Sequence, residues 1–106
     1  MSGMSGSISS FPAVSCERLT FTTVLVNPDM EILPTLSVGD VLVISVDTTM
    51  GFVASKDGHI VGGIQYDPST IDKLISCMDG GTQYGGEIIE LNITEGICRV
   101  RVFAKV

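Results

Sequence analysis

The one histidine of the chain, His59, stands in "VASKDGHIVGGI" (residues 53–64) beside three of the twelve glycines, a grouping that raises two chemistries: a phosphate cradle and acid–base work. A phosphate loop of the Walker type needs Lys and then Ser or Thr directly after its last glycine, followed by a helix. Here Ile64, Gln65 and Tyr66 follow, still in strand register. The Asp57-Gly58 pair lies between two β-rich runs, and both residues tolerate positive φ, so the stretch predicts an antiparallel hairpin. Gly62-Gly63 then mark a bulge or the close approach of another backbone segment. His59 has no second His, no nucleophile elbow and no metal-ligand spacing around it, so it reads as a turn residue.

Three other groups of residues bear on chemistry. Gly80, Gly81, Gly85 and Gly86 around Tyr84 depart from G-x-G-x-x-G and follow a helix where a dinucleotide site must open one. The carboxylates are scattered over turns and strand edges, and a hydrolase built on them would require a pocket in which they converge. Cys16, Cys77 and Cys98 are far apart and odd in number, with no C-x-x-C motif, which predicts buried free thiols in a reducing compartment. The sequence therefore calls for no enzyme, no cofactor and no metal.

One local pattern runs against the overall charge. The last strand alternates, with Cys98, Val100, Val102, Ala104 and Val106 on one face and Ile97, Arg99, Arg101, Phe103 and Lys105 on the other. A basic strip interleaved with an aromatic ring is a surface on which single-stranded nucleic acid can lie, its bases stacked and its phosphates paired. The competing reading is a solvated strand face whose charges block edge aggregation. Twelve acidic against six basic residues give a net charge of −6, which repels a phosphate backbone at long range and disfavours a general nucleic-acid coat.

The elements that position these residues can be read from rhythm. With 106 residues, 44% of them apolar, and no Trp, the chain supports one β-rich domain over residues 15–106. The opening "MSGMSGSISS" is small and polar and predicts a disordered tail over residues 1–14. It lacks the basic and apolar regions of a signal peptide, so a cytoplasmic protein with no membrane span is expected. For the same reason the acceptor pattern Asn92-Ile93-Thr94 is read as accidental.

"CERLTFTTVLV" predicts a first strand over 16–26, and "VLVISVD" a second. Between them, Leu33, Leu36 and Val38 can cover a barrel end. The hairpin supplies strands three and four. "YDPSTIDKLISCMDGG" changes period: Ile71, Leu74, Ile75 and Met78 share one helical face. Asp67 is the expected N-cap, Pro68 the first helical residue and Gly80 the left-handed stop. Two more strands follow. The expectation is a mainly β fold, a small six-stranded OB-like or SH3-like barrel with one helix after the fourth strand.

The order "LSVGDVLVIS", "VASKDGHIVGGI", "STIDKLISCMDGGTQYGGEIIEL", over residues 36–91, resembles the HIRAN family, small β-rich modules found attached to helicases and nucleases and as stand-alone bacterial and phage proteins. The shared elements are Gly39-Asp40 before a strand, the hairpin Lys56-Asp57-Gly58 leading to Val61-Gly62, a helix beginning near Ser69, and the strand after it. The resemblance implies an OB-like barrel and recognition of the exposed end of single-stranded DNA. The family's Asn-Pro-Tyr-Asp stretch is replaced here by Asp47-Thr48-Thr49-Met50, which removes its stacking aromatic, and Tyr66-Asp67 does not take that place. The expected function is a non-catalytic binding module engaging a nucleic-acid end or a nucleic-acid-processing partner through His59, Arg99, Arg101, Phe103 and Lys105. The alternative is a protein-interaction or self-assembling subunit, with another protein or a second copy as partner.

Overall fold

The computed structural model describes residues 16–105. The expected tail over residues 1–14, and Val106, lie outside the described residues. Among the described residues six antiparallel strands run β1 (Phe21–Val24), β2 (Val41–Asp47), β3 (Gly51–Lys56), β4 (His59–Gly63), β5 (Gln83–Asn92) and β6 (Ile97–Lys105), and the helix α1 (Pro68–Asp79) lies between β4 and β5. Their order in the sheet is β1-β6-β5-β2-β3-β4. The sheet curls until Val26, just past β1, bridges Gly63 at the end of β4 through reciprocal hydrogen bonds of 2.8 and 2.9 Å. The mainly β barrel with a helix after the fourth strand is thus the observed architecture.

Alternation along the strands decides what fills it. Leu42 and Ile44 of β2, Phe52 and Ala54 of β3, Val61 of β4, Tyr84 and Ile88 of β5, and Cys98, Val100 and Val102 of β6 are all buried in one apolar cluster. At one end of the barrel Leu33, the first residue of a short 3-10 turn (Leu33–Thr35), and Leu36, which follows it, close the core. Val38 does not join them: at 62% exposure it faces water. At the other end lies α1, whose Leu74 and Cys77 are buried.

The β3–β4 hairpin forms as its turn residues require. Asp57 and Gly58 have φ of 51° and 83°, the pair of positive angles that lets a two-residue turn match strand twist. Gly62 marks a close approach: a Cβ there would stand 2.9 Å from Leu25 Cβ and 3.3 Å from the Val26 carbonyl oxygen. Only hydrogen fits where β4 meets the chain that closes the barrel.

Four further expectations need correction. Strand β1 begins at Phe21, because residues 16–18 are helical. Gly80 has φ of −82°, and Gly81, at +103°, takes the left-handed conformation that ends α1. Ile75 is 41% exposed while Cys77 is buried, so the inward face of α1 is rotated towards Cys77. The reason is the fourth correction: Cys16 and Cys77 are not free thiols but a disulfide across 61 positions, with Cα atoms 5.5 Å apart. The cysteine argument for a reducing compartment falls for this pair. Cys98 alone remains a thiol, buried in the core, and burial pushes its pKa up.

Candidate functional site

The start of α1 is fixed by the side chain expected to cap it. Asp67 accepts a hydrogen bond from the Thr70 backbone N–H at 3.1 Å and further ones from the Ser69 and Thr70 hydroxyls. These donors, the Ser69 hydroxyl first, hold its carboxyl below the usual carboxylate range. Pro68 follows at the first helical position, where its missing N–H costs nothing. On its inner side the helix is tied to residues 16–18 by the disulfide, and the Tyr84 hydroxyl donates to the Cys16 carbonyl at 2.6 Å inside the core. Burial raises the Tyr84 pKa, so the phenol stays a donor.

Held in this way, α1 stands away from the β2–β3 turn, and an open groove of about 750 Å³ runs between them. One wall is the end of β2 and the start of β3, with Val46, Met50 and Phe52. The other wall is the outer stripe of α1, with Ile71, Asp72, Ile75 and Asp79. The floor is Ile64, Gln65 and Tyr66. Tyr66 is anchored by stacking on Phe21, ring centroids 4.4 Å apart, and still shows 43% of its surface. Val46 and Met50 are 58% and 51% exposed. The Asp47 carboxylate receives the Thr49 and Met50 backbone N–H groups and so shapes the turn that carries Met50.

The residues expected to bind nucleic acid divide. Arg99, Arg101, Phe103 and Lys105 do share the outer face of β6. His59 does not share that face: it opens β4, which is separated from β6 by β5, β2 and β3 along the sheet and by β1 across the Val26–Gly63 seam. The arginines are already paired across β5: Arg99 with Glu90 and Arg101 with Glu87, each at 2.8 Å. The Arg101 guanidinium lies 5.2 Å from the centroid of the Phe103 ring. The tip of that ring lies over Gly85, where a Cβ would be 3.2 Å from Cζ. Lys105 makes no ion pair among the described residues. At the opposite end of the barrel Asp40 receives the Ser37 N–H and Lys56 Nζ, and these two contacts lower its pKa.

The groove was missed in the sequence, although one signal was present. Ile71, Leu74, Ile75, Cys77 and Met78 spread over about 160° of the helix surface, wider than a core-facing stripe of about 100°, so one edge had to face outward. Among the described residues no group of three or more His, Cys, Asp or Glu side chains is arranged to hold a metal ion. No helix among them is long and apolar enough to cross a membrane.

Comparison with known proteins defines the fold class alone. No family model matches the chain, and no curated protein matches it. The chain is similar to a protein from Lactobacillus plantarum whose crystal structure was determined by a structural genomics consortium, with a TM-score of 0.65 and 16% identity over 81% of this chain and 93% of that one.

Proposed function

We propose that the protein is a non-catalytic binding module, a HIRAN-like barrel that takes its ligand in the groove beside α1. The observation that carries this reading is the open apolar groove itself. Val46, Met50, Tyr66 and Ile75 stay exposed together on walls that the Asp67 cap and the disulfide hold apart. Apolar surface gathered in a concave, fixed place is where a partner gains most by excluding water. The test is an apolar fluorescent probe such as bis-ANS. It should light up with the native protein and lose most of that signal in Ile75→Glu, whose fold is checked by circular dichroism. Equal fluorescence from both proteins overturns the groove as the site.

A second reading, a single-stranded DNA end laid along β6, is favoured by Phe103 and Lys105 on one exposed face with Arg101. The Glu87 and Glu90 pairs oppose it, since they neutralise much of the strip, and Arg101 over the ring competes with a stacking base. Titration of a labelled oligonucleotide at low and moderate salt decides. Electrostatic contacts are strongest at low salt. Binding there that weakens in Phe103→Ala and Lys105→Gln supports the strip, and no binding at low salt removes it.

A further inference from the structure

Resting on the groove reading, we infer that the partner is a protein segment that is apolar at its centre and carries two basic residues spaced about 10 Å apart. Two acidic side chains, Asp72 and Asp79, line the α1 wall, and among the described residues no Lys, Arg or His lines the groove. They are seven residues apart on one helix, so they lie on the same face with an axial separation of about 10 Å. Ile75 stands between them and is 41% exposed. The wall thus reads acid, apolar, acid along its length, facing Met50 and Val46 across the groove.

The complementary chain has a cation, an apolar anchor and a second cation. In a helical segment two positions seven apart, with an apolar residue three or four on from the first, share one face and span about 10 Å at about 1.5 Å per residue. The net charge of −6 adds a long-range attraction for such a chain and repels an acidic one. An enclosed cavity would suit a small apolar molecule, but this groove is open to solvent, as a segment lying across the surface requires. A phosphate-bearing ligand would meet both aspartates, which sets nucleic acid against this site.

The experiment is selection from a random-sequence peptide library displayed on phage, with the intact disulfide-bonded protein as bait. Selected peptides should carry two Lys or Arg flanking apolar residues. A representative synthetic peptide, followed by fluorescence anisotropy, should bind the D72N/D79N double variant about fivefold or more weakly at low salt, with the difference shrinking as salt rises. It should not bind Ile75→Glu. Neutral or acidic peptides that lose binding to Ile75→Glu but not to D72N/D79N overturn the basic partner and leave the groove standing. No selected peptide, or peptides that bind Ile75→Glu equally well, overturn both. A concentration-dependent dimer in light scattering that disappears in Ile75→Glu assigns the groove to a second copy of the chain and overturns the basic segment.

Discussion

The helix end of the barrel and the outer face of β6 hold their polar and covalent contacts in opposite environments. Around α1 the disulfide, the Tyr84 hydroxyl on the Cys16 carbonyl, and Leu74 are all inside the core. On β6 the pairs Arg99–Glu90 and Arg101–Glu87 join side chains that are 43% and 52%, and 46% and 37%, exposed. Contacts screened by water contribute little and yield easily, whereas a desolvated hydrogen bond or a covalent tie resists displacement. A ligand site needs walls that do not move, so the groove beside α1 has the firmer frame although the β6 strip has the more conspicuous charges.

The contrast can be broken by mutation. Replacing Cys16 and Cys77 by Ser should lower the unfolding free energy by about 4 kcal/mol in a chain-entropy account of a loop this long, measured by urea unfolding. A loss below about 1 kcal/mol would show that the tie does not hold the helix end. Gly62→Ala carries the contrast to the seam, where the added methyl meets Leu25 and the Val26 carbonyl. About 2 kcal/mol should be lost through overpacking, read from the same denaturation curves. Tyr84→Phe removes the donor to the Cys16 carbonyl. It should cost about 1 kcal/mol, a difference that equilibrium unfolding resolves.

On β6, Arg99→Gln and Arg101→Gln should each stay within about 0.5 kcal/mol of the native protein. A loss of about 2 kcal/mol from either would erase the distinction between the two regions. The smallest effect is one of pH. The Asp67 pKa is lowered by the Ser69 hydroxyl and then the Thr70 N–H. Its contribution is therefore fully present above the ordinary carboxylate value near 4 and fades as pH falls through the lower folded value. Thermal melts taken from about pH 6 down to about pH 2.5 should show a shallower acid slope in Asp67→Asn than in the native protein.

These two regions also differ in how far they could be read from sequence. The hairpin at Asp57-Gly58, the Asp67-Pro68 helix start and the alternation of β6 are local matters of turn chemistry and period, and each appears in the fold. The neutralising partners of the β6 arginines depend on cross-strand register, and that register shifts between Ile88 and Glu90, a slip no alternation pattern announces. The groove is assembled from β2, β3, the β4–α1 connection and α1, so no single stretch records it. The rotation of α1 was illegible for a related reason. Ile71, Leu74 and Met78 are compatible with an inner face centred towards either Ile75 or Cys77, and only the pairing with Cys16, 61 positions away, selects the second.

That pairing also governs how the molecule would carry mechanical load. Strands β1 to β4 all lie between Cys16 and Cys77 and therefore sit inside a covalent ring. Tension entering on the N-terminal side of Cys16 would cross from sulfur to sulfur into α1 and continue through β5 and β6, bypassing those four strands. Stretched from its two ends, the oxidised chain could pay out only the residues beyond the ring, while the reduced chain would unravel along its whole length.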